Sequence, residues 1–344
     1  MAFTQLRTLR TSFTGALMFA EIPHIWPAVV EVVASIDEDP LEHSPDPEVV
    51  KQALRQLKRL TVIVYDETVR SLDQDLMYSG KTQHLERLDV LVKVNDPRPE
   101  MFEWMSRQPV LQNQAAEKVQ RVGRTVGHHI LQSFAEVTVK TNLKEFGTPD
   151  VELTIGRLEP DDSGMRNEPM NVVRARCRKT GRMRCVGLRD AKRWPMSHFV
   201  KMVAPAIWRA LGGENGTDVA LVTEIVVPVE CLSDLLREAT PQSASRIRLL
   251  TVDFMADRLE DASLDVVLPE LPALRTVVLV GCDGSSYSFA EVERIIRPIA
   301  LAASSALEQV RLMLDRTEWT AGELGRANSF ASRVVYLPQP RELS

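Results

Sequence analysis

Short apolar segments with one internal spacing form the clearest pattern along the chain. The stretch Leu271–Cys282 places apolar residues in the order Leu274-x-x-Val277-x-Leu279-x-x-Cys282. This spacing is typical of a repeat in which a short strand is followed by a residue that turns the chain outward. A single copy does not separate a repeat from one buried strand of an ordinary sheet, so the test is whether the spacing recurs.

The spacing does recur, towards both ends of the chain. Leu57-x-x-Leu60-x-Val62 returns 28 residues later as Leu85-x-x-Leu88-x-Val90. In the C-terminal part, Ile247-x-x-Leu250-x-Val252 precedes the Leu274 copy by 27 residues, and Leu307-x-x-Val310-x-Leu312 follows it by 33. Weaker copies begin near Leu6, Phe134, Ala220 and Ala331. We therefore predict a series of short strands that share one pattern.

Helical signals lie between several of these strands. Ser288-x-x-Glu291 matches a capping box, which satisfies the first N–H groups of a helix. An apolar stripe of Val292, Ile295, Ile296 and Ile299 follows it, and Pro298 is expected to kink or split this helix. Asp46-Pro47-Glu48 predicts a second helix start. Strand, turn and helix in each unit predict a solenoid, although an ordinary α/β sheet built of βαβ units has similar spacings.

The repeats resemble those of irregular leucine-rich-repeat proteins of the fungal type, many of which carry an F-box. Three segments carry the resemblance: Leu271 to Cys282, Ile247 to Phe254 with the upstream Cys231-Leu-Ser-Asp-Leu-Leu, and Leu57 to Val64. No F-box is recognisable, since the segment Ile22-Pro-His-Ile-Trp-Pro-Ala-Val-Val has only weak similarity to one. The resemblance implies an α/β solenoid of short parallel strands and helices, with a role as a scaffold or a substrate-recruiting module.

Strand geometry predicts a partner surface on the open face of such a sheet, because residues between the consensus positions point away from the core. Apolar side chains recur at these positions, and an exposed apolar patch commonly marks an interface. The predicted partner-binding residues are Ile63, Asp89, Leu91, Asp253, Val278, Val280, Arg311 and Met313. Two alternatives stay open: an inserted segment of the chain covers the sheet, or the register is shifted by one residue and the faces are exchanged.

A basic stretch interrupts the repeats and predicts an irregular β-hairpin insertion with its turn at Lys179-Thr180-Gly181. Alternation places Ala175, Cys177, Met183 and Cys185 on one face. The opposite face is predicted to carry five arginines: Arg174, Arg176, Arg178, Arg182 and Arg184. The nearby acids Glu159, Asp161, Asp162 and Glu168 offer an internal charge match. The alternative is a phosphate-bearing partner, nucleic acid above all, bound through residues 174–193.

No catalytic motif is found in the sequence, so we predict neither an enzyme, nor a cofactor, nor a metal site. His128 and His129 are adjacent and lack the i, i+4 spacing of a helical metal site, and the cysteines show no C-x-x-C pair. The formal net charge of −5 argues against a chain devoted entirely to nucleic acid. With four cysteines and no membrane span in the sequence, we expect a cytoplasmic or nuclear protein.

Three sections are predicted from these patterns. Residues 1–150 form an N-terminal degenerate repeat block, residues 151–212 an irregular section with the basic hairpin, and residues 213–344 a C-terminal repeat block. The predicted function is protein–protein interaction through the open sheet face.

Overall fold

A computed structural model of the chain describes a set of separate segments. The described residues are 5–12, 28–36, 55, 57–65, 84–93, 143, 150–158, 169–189, 195–212, 222–254, 268–281, 285–314 and 319–336. The helix predicted at Asp46, the weak repeat near Phe134, His128 with His129, and the four acids from Glu159 to Glu168 lie outside them.

The described elements make an α/β protein. Its strands are β1 (Thr8–Ser12), β2 (Glu31–Ile36), β3 (Arg59–Tyr65), β4 (Arg87–Lys93), β5 (Val151–Leu158), β6 (Met170–Cys177), β7 (Met183–Arg189), β8 (Val222–Pro228), β9 (Leu249–Asp253), β10 (Thr276–Val280), β11 (Gln309–Met313) and β12 (Arg333–Tyr336). Its helices are α1 (Met196–Gly212), α2 (Leu232–Arg237), α3 (Pro241–Ala244), α4 (Phe289–Ala302) and α5 (Ala321–Ala327), and a 3-10 turn covers Val229–Cys231.

The strands belong to one mostly parallel sheet. Their order is β1-β2-β3-β4-β7-β6-β5-β8-β9-β10-β11-β12. Every strand pair with a described register is parallel. The α/β class with short parallel strands is thus confirmed.

The chain forms two compact units. The first unit comprises Met1–Phe146, Arg157–Val172 and Arg182–Trp194, and the second comprises Gly147–Gly156, Val173–Gly181 and Pro195–Ser344. The predicted division into three consecutive sections stays a prediction.

In the first unit, the strand register follows the predicted repeat. Leu60 pairs with Leu88 and Val62 with Val90, so the consensus positions of the two copies stand side by side. The weak copy near Leu6 is a strand as well, β1. Its neighbour β2, with the buried Val32 and Ala34, was not predicted, because Ala34 is a poor consensus residue.

In the second unit, three predicted copies align in the same way. Leu250, Val277 and Val310 occupy one row across β9, β10 and β11, and all are fully buried. The copy near Ala331 is confirmed, since Val334 pairs with Val310. The copy near Ala220 is a strand, but its predicted phase is wrong by two residues, because Ile225 pairs with Leu250.

A shared backbone turn precedes the strands. In the second unit, the Arg248 carbonyl accepts from the N–H groups of Arg275 (3.0 Å) and Thr276 (3.1 Å), and the Arg275 carbonyl accepts likewise from Glu308 and Gln309. The first unit repeats this geometry at the carbonyls of Arg7, Val30 and Lys58. Each lead-in turn is therefore fastened to the next one, which holds neighbouring strands in register.

Helix α4 confirms the predicted capping box. The Ser288 hydroxyl accepts from the N–H of Glu291, whose carboxylate accepts from the N–H of Ser288 at 2.7 Å. Its predicted stripe is fully buried. The helix runs on through Pro298 to Ala302, so the prediction of a split helix is wrong; the ring lies in the last turns and is half-buried. Among the described helices, none has the length and apolar character needed to cross a bilayer.

Candidate interaction surface on the open face of the sheet

The strands of the second unit have one buried and one partly open face. Along β9, Leu250 and Val252 are fully buried, whereas Thr251 and Asp253 are half-buried. Along β11, Val310 and Leu312 are fully buried and Arg311 between them is exposed. This alternation confirms the predicted register and excludes exchanged faces in β9 and β11.

The eight predicted partner-binding residues fall into two groups. Four are accessible: Arg311 is exposed, and Asp253, Val280 and Met313 are half-buried. The prediction that the other four face solvent is wrong, since all are buried: Ile63 (5% exposed), Asp89 (6%), Leu91 (7%) and Val278 (6%).

In the first unit, the open face is a second core. Ile63 and Leu91 cluster with Met170, Val172 and Cys185, which come from β6 and β7 of the irregular section. These two strands lie beside β4 in the same sheet, so their side chains extend the buried face sideways. Whether an inserted segment covers this face stays a prediction.

Because Gly187 has no side chain, Leu91 and Met170 of this core can pack closely against its backbone. A Cβ atom built on it would lie 3.0 Å from Leu91 Cδ2 and 3.3 Å from Met170 Cε. Asp89, at the rim of the same face, accepts a hydrogen bond from Arg87 Nε at 2.7 Å. This ion pair gives the buried carboxylate a counter-charge, so Asp89 has a structural role in the first unit.

Three accessible residues form a row where β9, β10 and β11 end. Asp253 pairs in register with Val280, and Val280 with Met313. We call Asp253, Val280 and Met313 the carboxyl-end row. It offers two neighbouring apolar side chains with a carboxylate at one end. Arg311 lies two residues before Met313 on the same face, and its Nε donates to Gln309 Oε1 at 3.1 Å.

Electrostatics make Asp253 unusual within this row. Burial, and next the negative charge of Glu230, raises the pKa of Asp253 to about 6. Burial also raises the pKa of Glu230, with an opposing effect of a backbone hydrogen bond. Two half-buried carboxylates therefore share the carboxyl ends of β8 and β9, where a positive charge would stabilise both.

Cys231 follows Glu230 in the chain and is fully buried. Burial, followed by the charges of Glu230 and Asp234, raises the pKa of its thiol well above the ordinary value. The thiolate, which is the reactive form, is strongly disfavoured. Asp234 is instead paired with Lys201, whose Nζ lies 3.7 Å from its carboxylate.

The basic stretch forms the predicted strand–turn–strand, with Gly181 at a φ of 72° in the turn. On β6, Val173, Ala175 and Cys177 are buried, and the alternate arginines are accessible. These are the half-buried Arg174 and the exposed Arg176 and Arg178. Arg178 forms an ion pair with Glu224, so an internal charge match exists for this arginine. The match predicted with Glu159, Asp161, Asp162 and Glu168 stays a prediction, because these acids lie outside the described residues.

The prediction that all five arginines share one face is wrong. Arg184 is fully buried in the first unit, in register with Leu88, and donates from Nη1 to the carbonyls of Met183 (2.9 Å) and Leu85 (3.2 Å). Arg182 is half-buried. The phase of β7 is thus opposite to that of a symmetric hairpin, and a slip of one residue moves each side chain to the other face.

Within the segments described above, no three histidine, cysteine or acidic side chains are placed to hold a metal ion. No protein-family model matches the chain, and neither does any curated protein.

Proposed function

We propose that this chain is a non-enzymatic, leucine-rich-repeat-like interaction module that binds a protein partner through the carboxyl-end row and Arg311. One observation carries the proposal: Val280 and Met313 are half-exposed side by side on a parallel sheet. Parallel sheets are normally covered on both faces, so an accessible apolar row on one face suits a partner that completes the cover.

The composition of the surface favours a protein over other ligands. An apolar pair with a carboxylate at one end and a guanidinium nearby resembles the mixed character of protein interfaces, in which arginine and methionine are enriched. Asp253, which is half-buried beside the negative charge of Glu230, favours a basic side chain on the partner opposite it.

The repeats support the leucine-rich-repeat-like part of the proposal. Consensus positions stand in register in both units, and the lead-in turns share one hydrogen-bond geometry. In a solenoid each repeat contributes a narrow strip to a long surface, so several strips together recognise one partner. A scaffold or substrate-recruiting role in the cytoplasm or nucleus follows from this proposal.

The alternative function, binding of nucleic acid through residues 174–193, remains a prediction with less support. Arg184 is buried and Arg178 is already paired with Glu224. The remaining arginines do not form one continuous basic face of the hairpin.

The test places a photo-crosslinking amino acid at Met313 and, as a control, at Leu301, which is 80% exposed on α4. We expect a protein to be crosslinked from nuclease-treated cell extract at position 313 and not at 301. In a pull-down, Val280→Glu should lower the amount of that protein about tenfold or more, because a carboxylate would be desolvated beside Asp253, and Leu301→Glu should leave it unchanged. Equal capture by Val280→Glu and the unchanged protein would contradict the proposal.

A further inference from the structure

The accessible arginines of β6 form a second charged surface within the second unit. Arg174 and Arg176 occupy alternate positions of β6, and Arg178 is the first residue after the strand; we call these three residues the arginine stripe. Alternate residues of a strand lie about 6.5 to 7 Å apart, so their side chains leave the sheet at a regular interval. Five arginines were predicted on this face, and the structure places these three there.

Neighbouring strands show which groups share the face with the stripe. The Arg178 guanidinium contacts Glu224 of β8, and Glu224 pairs in register with Glu152 of β5. The stripe therefore lies on the same side of the sheet as Glu152 and Thr154, which are half-buried. Gly156, at the next alternate position of β5, has no atom within 4 Å of where a Cβ would stand. The face is open at that point.

The described residues neutralise the stripe only in part. Arg178 has its ion pair with Glu224, but the described residues supply no ion-pair partner to Arg176. Nε of Arg174 is buried without a hydrogen-bond acceptor from them. A buried donor left unpaired is costly, so the chain does not fully satisfy this guanidinium. An external carboxylate would be bound by the accessible part of the half-buried Arg174 side chain and by the exposed Arg176.

We propose that Arg174 and Arg176 bind the carboxylates of an extended acidic peptide segment, with acidic residues two positions apart. An extended peptide has the same interval between alternate side chains as β6, so two carboxylates meet two guanidinium groups at once. Arginine is suited to this task because its planar fork pairs with a carboxylate through two hydrogen bonds. The proposal stands apart from the carboxyl-end row and does not need it.

Nucleic acid fits this surface less well. A phosphate backbone carries one charge per nucleotide and would bring several of them against Glu152 and Glu224. The described strand residues around the stripe also provide no exposed aromatic side chain on which bases could stack. A peptide carries carboxylates only at chosen positions and can present neutral residues to the two glutamates.

The test measures fluorescence anisotropy of labelled synthetic peptides at low ionic strength. Three peptides are compared: an octapeptide of alternating Glu and Thr, one of alternating Gln and Thr, and one with the same four Glu residues in succession. The alternating Glu peptide should bind most tightly, and the Gln peptide should not bind. Equal binding of both Glu peptides, or no binding of either, would overturn the proposal.

Variants connect the binding to the stripe. The double variant Arg174→Gln with Arg176→Gln should lower the affinity for the alternating Glu peptide about tenfold or more. The control variant Arg209→Gln with Arg237→Gln makes the same charge change at exposed helix positions and should lower that affinity less than about twofold. Arg174→Lys with Arg176→Lys keeps the charge but loses the fork, and should give an intermediate loss. Far-UV circular dichroism confirms that each variant folds. The same assay is run with an oligothymidylate of about twelve nucleotides. If it binds more tightly than the peptide, and the Gln variant loses this binding, the ligand of the stripe would be nucleic acid and the peptide proposal would be wrong.

Discussion

The two sets of repeat strands share one sequence spacing, but the side chains on their open faces differ in how deeply they are buried. On β3 and β4, Ile63 and Leu91 are buried against residues of β6 and β7. At corresponding positions of β10 and β11, Val280 and Met313 remain half-exposed. The position of a residue within a repeat therefore does not decide whether it forms a core or a surface. The neighbouring segment decides it.

The largest expected effect tests whether the covered face is a true core. Leu91→Ala should lower the stability of the first unit by about 2 to 4 kcal/mol, because it leaves a cavity among Met170, Val172 and Ile63. Met313→Ala should lower the stability of the second unit by less than about 1 kcal/mol, since its side chain is half-exposed. Urea unfolding, with hydrogen exchange to assign each loss to its unit, measures both. Similar losses for the two variants would remove the distinction between the faces.

The second expected effect compares a buried arginine on β7 with an exposed arginine on β6. Arg184→Met should cost about 1 to 3 kcal/mol, because the Leu85 carbonyl loses a hydrogen bond from the buried guanidinium. Arg176→Met, at an exposed position of β6, should stay within about 0.5 kcal/mol. Thermal unfolding of the two variants provides the measurement. If both were neutral, the buried position of Arg184 would be in question.

The hairpin also shows which features local sequence patterns can predict and which they cannot. Alternation and the glycine turn predict two strands, and both exist. The side on which Arg184 lies depends on how β7 pairs with β4, a contact with residues about a hundred positions earlier that no local pattern contains. The same limit explains the burial of Ile63 and Leu91, since Met170, Val172 and Cys185 of their cluster come from another section of the chain.

Other features were predictable because their causes are local. The capping box of α4 follows from residues three positions apart. The alignment of Leu250, Val277 and Val310 was predictable because each repeat carries the same short local spacing, which marks the equivalent position in every copy. The carboxyl-end row was predicted in part, since Asp253, Val280 and Met313 were chosen by strand alternation alone. Glu230, which raises the pKa of Asp253, was missed because it lies in the turn after a different strand.

The smallest expected effect uses the pH dependence of the open face. The pKa of Asp253 is raised from 3.8 to about 6, so the folded second unit binds this proton more tightly than the unfolded chain does. The free energy of unfolding should therefore fall as the pH rises from about 4 to about 6, and the ionised group destabilises the fold at pH 7. Because solvent screens this partly exposed carboxylate, Asp253→Asn should raise the stability by only about 1 kcal/mol at pH 7, and it should have no effect below about pH 4.

A nearby carboxylate provides the control for this change. Asp234 lies 3.7 Å from Lys201 Nζ, so Asp234→Asn should bring no gain in stability at pH 7. Denaturation curves at pH 4 and pH 7 compare the two variants. A gain from both would point to the overall negative charge of the chain, and no gain from Asp253→Asn would argue against a destabilising charge in the row.

The lead-in turns bear on how such a chain changes over evolutionary time. The carbonyls of Arg248 and Arg275 make the same pair of hydrogen bonds to the following repeat, although the two repeat spacings differ, at 27 and 33 residues. The lead-in turn therefore does not depend on the length of the connection between strands. Insertions and deletions are tolerated in the connections, whereas one residue added inside a strand would turn its side chains to the wrong face. We therefore expect gene duplication to add or remove whole repeats. Each added repeat would widen the surface by one strand and would join its neighbour through the same pair of hydrogen bonds.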